Sequence, residues 1–512
     1  MNILPFTSWI CNAAAALAAT YGSVARQARE ARCSRQTVYV HAAKVQWALT
    51  AAQQGCPHCD TLERENRALR RRLQQQQEQL AHAILLGPDR QARLAVLLSA
   101  LGVSIRQILQ VLLFLLPTAR CPGRSTIGHW LTAAQRRAGG VLAVLDRHTQ
   151  PLARTLAPDE IFFHGQPTLV AVEPASLAVL LCTRTPDRQG TTWATALQPF
   201  TNLEAVVSDA GTGLAAGLDR IDRQRRCQGR PALERSLDVF HTEKEARTIL
   251  ARIWRAVQRA WDKAEAADRH VAANRGGKAL TAQAAWRCVA RVWAVYESQE
   301  AAWKRAKAAL GVWCADGTLN DRARAQTEIA AACQVLRAGA WRKVRSLLSD
   351  RRALTFLDRL QRQLAEAVPQ AGLRSALVEL CGLEQAARPT DPAWLVVVAV
   401  QRLVCAKWSA TWVASYQRVR AVLSGVVRAS SVVECVNSVL RMHQSRHRRM
   451  TQGMLDLKRL YWNSRVIGSG RRRGRCPYQH LGVPLPTYDF WELLHRDPEK
   501  LAQELSTQQV AA

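Results

Sequence analysis

Two aspartates and a glutamate occupy positions where a bare carboxylate is costly. Asp159 opens an apolar strand in Pro158-Asp159-Glu160-Ile161-Phe162-Phe163, and Asp209 ends another in Val206-Val207-Ser208-Asp209-Ala210-Gly211. An acid at the tip of an apolar strand sits where a sheet edge meets a loop, and a charge in such a partly buried place needs compensation. A divalent cation supplies it, since Mg2+ takes one or two carboxylates and completes its shell with phosphate oxygens and water. Glu434 adds a third acid in Ser430-Ser431-Val432-Val433-Glu434-Cys435-Val436-Asn437-Ser438-Val439-Leu440-Arg441. On a helix starting near Ser430, Asn437 and Arg441 lie three and seven residues on, so ligand, amide and cation share one face. Two ions about 4 Å apart in such a cage activate an attacking hydroxyl and stabilise the leaving oxygen of an in-line phosphoryl displacement. Each acid alone has an ordinary explanation, because Asp is frequent in turns and Glu is commonplace in helices. The reading rests on the three together.

The elements around these residues fall into blocks. Short β-type runs at Ile161–Phe163, Thr168–Glu173, Leu177–Thr183, Ala205–Ser208 and Leu237–Phe240, with a helix-like stretch at Thr191–Leu197, predict a mixed sheet covered by helices. From about 243 to 425 strand signals nearly vanish, and Trp254, Trp261, Trp286, Trp293, Trp303, Trp313 and Trp341 punctuate Ala- and Arg-rich helices without a fixed repeat. That stretch reads as a helical insertion in the sheet domain. Trp193 and His241 are candidates to line the site, although a Trp packed on the sheet and a satisfied core His are the plainer readings.

Upstream lie helical modules. Two helical stretches over about 12–50 break near Arg32-Cys33-Ser34; Ser34 suits an N-cap, and Val38, His41, Ala42 and Val45 recur at helical spacing. A second helix that carries Arg35 and Gln36 near its start suits a helix-turn-helix, whose N-terminal side chains reach base edges; an ordinary helical hairpin has the same pattern. From Leu62 to Leu80, Leu62, Leu69 and Gln76 alternate with Asn66, Leu73 and Leu80 in an a/d seam, which favours pairing of two subunits over a solvated connecting helix. A second helix-turn-helix is expected within 87–150. Downstream, 430–475 is strongly basic, and Arg441, Arg448, Arg449, Lys458 and Arg459 are expected to face DNA, with Tyr461 and Trp462 interleaved.

The bulk numbers agree on the partner class. In 512 residues, 71 Lys+Arg against 40 Asp+Glu leave a net charge of +31, a field that gathers polyanions and also suits an anionic surface. The 14 cysteines are scattered, as in a reduced cytosolic protein. Cys56 and Cys59 have metal-ligand spacing but no second closely spaced pair, so a turn is preferred over zinc. No run reaches the ~20 apolar residues of a membrane span. The apolar stretch Ala13–Ala19 has no Lys or Arg before it and reads as a first helix, so a cytoplasmic, nucleoid-associated protein without a membrane is expected.

Asp159-Glu160, the Val206–Leu214 block, Asp238-Val239-Phe240-His241 read as a later strand, and the Glu434, Asn437, Ser438, Arg441 helix together resemble DDE-type insertion-sequence transposases with a ribonuclease-H-like core. The resemblance covers about 155–245 and 428–465. It implies an α/β core with a mixed five-stranded sheet. The N-terminal all-α helix-turn-helix modules fit it in arrangement only, and the stretch from Asp209 to Glu434, far longer than in the compact members, requires a large all-α insertion. The implied layout is 1–55 and 87–150 for DNA-binding modules, 56–86 for the coiled coil, 151–245 and 426–475 for the core, 246–425 for the insertion and 476–512 for a tail. Asp159, Asp209 and Glu434 would bind two Mg2+ ions, or Mn2+ in their place, and Arg441 would contact the DNA end. Glu160 is the alternative to Asp159. The implied activity is strand cleavage at element ends and strand transfer, by a homodimer or higher assembly on the terminal inverted repeats and target DNA. A DNA-binding regulator derived from an inactive transposase, or a structure-selective nuclease on the same fold, would carry the same motifs.

Overall fold

Near-continuous apolar runs over 155–184, buried on both faces, build the central sheet of the larger of two compact units. In the computed structural model, which describes residues 6–53, 57–81, 86–209, 211–273, 279–386, 391–428, 431–447 and 449–511, five strands form one mixed sheet. They are β1 (Thr155–Phe163), β2 (Gln166–Val172), β3 (Val179–Arg184), β4 (Ala205–Ser208) and β5 (Glu234–Leu237), in the order β3-β2-β1-β4-β5. β1–β2 and β2–β3 are antiparallel; β1–β4 and β4–β5 are parallel. The fold is therefore mixed α/β with extensive helical regions.

Side chains of successive strand residues point to opposite faces, and both faces are covered. Leu156, Leu169, Leu180 and Val206 pack with Trp193, Leu197, Leu214 and Leu218 from the helices Gly190–Leu197 and Thr212–Cys227. On the other face, Ala157, Ile161, Phe163 and Val170 pack with Val433, Val436 and Leu440 of the helix Ser431–Arg446, and with Leu455 and Trp462 of the helix Gln452–Ser464. Glycine lets the start of the helix Thr212–Cys227 approach the backbone just before the helix Gly190–Leu197. A Cβ on Gly213 would lie 2.0 Å from the Arg188 carbonyl oxygen. Backbone has to move to relieve that clash, so Gly213→Ala should lower unfolding stability by about 1–3 kcal/mol, measured by urea denaturation.

Two sequence expectations shift at their edges. β1 begins at Thr155, so Asp159 is a mid-strand residue rather than the first. β5 ends at Leu237; Asp238 is the N-cap of the helix Val239–Ala272 and accepts from the Phe240 N–H. Val239 and Phe240 have β-type side chains, but the cap decides.

Beyond the sheet the chain is helical. The helices Val239–Ala272, Ala279–Ala309, Arg322–Val335 and Arg342–Ser349 share one core containing Trp303 and Trp341. Thr355–Ala367, Ala371–Gln385, Pro392–Trp408 and Trp412–Ser424 share another. A third joins Pro88–Ala100, Ile105–Leu115 and Arg124–Thr149 to Gln452–Ser464 and to C-terminal residues such as Tyr478, Leu493 and Leu501. Ser104 caps the Ile105 helix in a capping box with Gln107.

The chain divides into two compact units, Met1–Arg90 and Gln91–Ala512. In the first, the helices Phe6–Leu17, Ser23–Glu30 and Arg35–Gln53 surround a buried polar contact between Asn12 and His41, which are 3.0 Å apart, with Trp9 stacked on His41. Ser34 accepts from the Thr37 N–H at 3.0 Å, as its cap position predicts. The helix Pro57–Ala81 leaves Leu62, Leu69 and Leu73 exposed. Cys56 and the side chains of Cys59 and Leu80 lie outside the described residues. Among the described residues no single helix is long and apolar enough to cross a membrane. The pair Pro392–Trp408 and Trp412–Ser424 passes by length and composition only, and it is bent by 113°.

Candidate active site

Strand register sets the first two acids. β1 and β4 pair Thr155 with Ala205 and Leu156 with Val206, an offset of fifty. Carried on, that offset puts Asp159 level with Asp209, just past the end of β4. β4 and β5 pair Ser208 with Leu237, so Asp238 follows at the same level on the next strand. Adjacent strands are about 4.8 Å apart. The acids therefore line one end of the parallel part of the sheet.

The third acid comes from the helix laid over that end. Asp159 shares a face of β1 with Ala157 and Ile161, which pack on Val433 and Val436. Asn437, fully buried, donates its Nδ2 hydrogen to Asp159 Oδ2 at 2.7 Å. The neighbouring turn of the same helix carries Glu434, whose Oε2 accepts from Arg441 Nη1 at 3.3 Å and whose Oε1 lies 3.5 Å from His241 Nε2. His241 Nδ1 bonds in turn to Asp238, whose side chain is fully buried. The tight Asp–His contact three residues apart is built by the N-cap, since Asp238 turns its carboxylate back over the first turn of the helix.

The same alternation separates Asp159 from Glu160. Glu160 is paired with Arg188 at 2.5 Å, and Arg188 also lies over the Phe162 ring. Asp159 faces the Glu434 helix and Glu160 does not, so of the two it is Asp159 that joins the cluster.

Burial, with charge repulsion added to it, marks the cluster electrostatically. Burial pushes the Asp159 carboxyl up to about 7, and the nearby carboxylates of Glu434 and Asp209 add to the rise, against the hydrogen bond from the Glu160 N–H and the His241 ring. His241 is raised, first by its hydrogen bond to Asp238 and against burial, with Asp209 and Asp159 contributing. A raised carboxyl means that the folded state holds its proton more tightly than the unfolded chain. The stability it lends is full below the ordinary value of 3.8 and is lost as pH rises to about 7. Asp159→Asn should therefore raise the melting temperature of the metal-free protein at pH 8 and change it little at pH 4. Mg2+ should stabilise the parent at pH 8 more than the variant, by calorimetry.

These donors fit a divalent cation in kind: three carboxylates from separate elements, one of them desolvated and crowded by its neighbours. As the side chains stand, no three of His, Cys, Asp and Glu among the described residues are gathered tightly enough to hold one ion. Glu434 is turned toward Arg441 and His241. An ion in a two-metal site needs only one or two carboxylates, with phosphate and water completing the shell.

Other expected residues divide sharply. Arg35 and Gln36 are exposed at the start of their helix, and Arg441 and Arg449 are exposed in the basic segment; Arg448 lies outside the described residues. Lys458 and Arg459 are corrected. Both are buried, and neither is available to a phosphate. Lys458 donates to the Ser99 carbonyl at 2.7 Å, and burial pushes its amine down to about 7. Arg459 pairs with Asp146 and donates to the carbonyls of Val179 and Leu180. Trp193 is fully buried in the core between sheet and helices, the plainer of its two readings. His241, by contrast, lies at the site and is not a core histidine. Asp238 was missed as a partner of His241, though an Asp three residues before a His at a helix start was the available signal.

No family model matches the chain, and neither a curated protein nor a solved structure matches it.

Proposed function

We propose that this chain is a DDE-type DNA transposase, cleaving strands at the ends of an insertion element and transferring them into target DNA. The observation that carries the reading is the convergence of Asp159, Asp209 and Glu434, from β1, the end of β4 and a helix more than two hundred residues further on. The strand order β3-β2-β1-β4-β5, antiparallel then parallel, supports a ribonuclease-H-like core beneath them.

In this reading Asp159, Asp209 and Glu434 hold two Mg2+ ions. When bound, these supply activation of the attacking hydroxyl and charge stabilisation on the leaving oxygen. The chain's own residues prepare the site. Asn437 fixes the rotamer of Asp159 through its amide. Asp238 orients His241 so that Nε2 faces Glu434. Arg441, half-exposed and seven residues beyond Glu434, offers a cation to a phosphodiester approaching the helix. Helix-turn-helix binding by Arg35 and Gln36 would recruit the ends, and the exposed Leu62–Leu69–Leu73 seam would pair subunits.

The test uses labelled element ends, a supercoiled target plasmid and Mg2+. Nicked ends and joined products are expected. End-binding without any Mg2+-dependent cleavage would replace this reading with a regulator, and cleavage of branched DNA without joining would replace it with a nuclease.

A further inference from the structure

The helix Pro392–Trp408 is apolar around nearly its whole circumference, in the sequence Pro-Ala-Trp-Leu-Val-Val-Val-Ala-Val-Gln-Arg-Leu-Val-Cys-Ala-Lys-Trp. A helix of that kind is ordinarily surrounded by protein. Here one side is covered. Val398, Gln401 and Cys405 are buried, and Gln401 Nε2 donates to the Ala376 carbonyl at 2.9 Å and to Glu379 at 3.1 Å, which roots the helix on Ala371–Gln385. The opposite side carries Val396, Ala399, Val400 and Leu403 at i, i+3, i+4 and i+7, and all four are exposed. Val396 is 61% and Leu403 66% exposed, more than an aliphatic side chain keeps when it has a partner. That spacing is the seam of a helix pair.

We propose that this stripe receives a second copy of the chain, the two Pro392–Trp408 helices packing antiparallel about a twofold axis near Ala399 and Val400. A twofold interface needs a self-complementary patch, and a straight apolar stripe on one helix is complementary to its own reverse. The charges agree with that direction. Asp391 caps the N-terminal end and Lys407 stands at the other. Antiparallel pairing keeps the two copies of Lys407 at opposite ends of the interface, whereas parallel pairing sets them side by side. Arg402 is already engaged by Glu384 at 2.9 Å. Val396, Val400 and Leu403, each more than half exposed, form the apolar centre of such an interface, in which each partner of standard size buries roughly 800 Å2. A bilayer fits less well, because the helix is anchored by Gln401 on one side, is 17 residues long and turns through 113° into the next. The inference does not depend on the catalytic reading.

The test is sedimentation velocity of the full chain in a Leu69→Glu/Leu73→Glu background, which removes the other exposed seam. This protein should still dimerise, and adding Val396→Glu/Leu403→Glu should weaken dimerisation at least tenfold with an unchanged circular dichroism spectrum and melting temperature. Cysteine cross-linking fixes the direction independently. About the proposed axis the copies of residue 399 are neighbours, while those of residue 406 are about 20 Å apart at 1.5 Å rise per residue. Ala399→Cys should therefore form an intermolecular disulfide on mild oxidation, above the parent's background, and Ala406→Cys should not. A monomeric Leu69→Glu/Leu73→Glu chain, unchanged sedimentation of the Val396→Glu/Leu403→Glu protein, or cross-linking at 406 but not at 399 would each overturn the proposal. So would flotation of the parent with phosphatidylglycerol vesicles that Val396→Glu/Leu403→Glu abolishes, which would assign the stripe to a lipid surface.

Discussion

Glu434→Gln protein should bind element ends as the parent does and neither nick nor join them. The substitution keeps the length and hydrogen-bonding reach of the side chain and removes only its charge. Arg441 and His241, which now meet the carboxylate, can both still meet an amide oxygen. The fold should survive, because Val433, Val436 and Leu440 carry the packing of that helix. A metal-held phosphoryl transfer loses several kcal/mol of charge stabilisation with such a change, and each 1.4 kcal/mol is about tenfold in rate. Cleavage should fall on the order of a thousandfold or more, and Asp209→Asn should behave alike. End-binding is read by gel shift and cleavage by denaturing gel, at matched ionic strength because DNA affinity falls steeply with salt. A Glu434→Gln protein that still cut and joined ends would end the metal-site reading and leave a basic DNA binder.

A second comparison on the same helix separates a charge role from a positioning role. Asn437→Ala removes the amide that holds Asp159 but none of the three carboxylates. Cleavage should fall by about one to two orders of magnitude, as when an outer-shell partner of a metal ligand is removed, with partial recovery at raised Mg2+. Glu434→Gln should not recover at any Mg2+ concentration. Equal insensitivity of both variants to Mg2+ would argue against metal in the site.

The parts of this site that sequence carried were those with a local cause. Apolar runs bounded by acids placed Asp159 on a first strand and Asp209 at the end of a later one, and helical spacing placed Asn437 and Arg441 beside Glu434. That Asp159 meets Asp209 depends on β1 pairing in parallel with β4 across fifty residues, and that both meet Glu434 depends on its helix packing on β1; no local pattern encodes either partner. Pro158 reads as a strand boundary because proline lacks an N–H for the ladder. In the fold β1 runs through it, while the β1–β4 pairing stops at Leu156 and Val206. Burial was the other blind spot. A basic run ordinarily marks a solvated face, but the helix Gln452–Ser464 is packed on two sides, Leu455 and Trp462 toward the sheet and Leu457 and Leu460 toward the helix Arg124–Thr149. A helix between two layers has little solvated face, so its cations turn inward and must find carbonyls or carboxylates.

Arg459 is the one of those cations whose loss should cost most. Its guanidinium ties its own helix to β3 and to the helix Arg124–Thr149, with Nε donating to the Val179 carbonyl at 2.8 Å, Nη2 to the Leu180 carbonyl at 2.6 Å and Nη1 to Asp146 at 3.0 Å. Both carbonyls keep another donor, Asn463 for Val179 and Gln150 for Leu180. The damage in Arg459→Met therefore falls on Asp146, whose carboxyl burial already raises against the pull of Arg459. Breaking a buried pair by removing one partner costs about 3–5 kcal/mol, whereas replacing both partners by apolar groups is often neutral. Arg459→Met should lose that much in urea denaturation at pH 8, and Arg459→Met/Asp146→Leu should recover most of it. The sign with pH follows from Asp146. Without Arg459 its folded pKa rises further above 3.8, so the folded variant takes up a proton as pH falls and its deficit narrows at pH 5. A deficit that is the same at pH 5 and pH 8, and that the double substitution leaves untouched, would mean that Arg459 acts through the carbonyls of β3 and not through its charge.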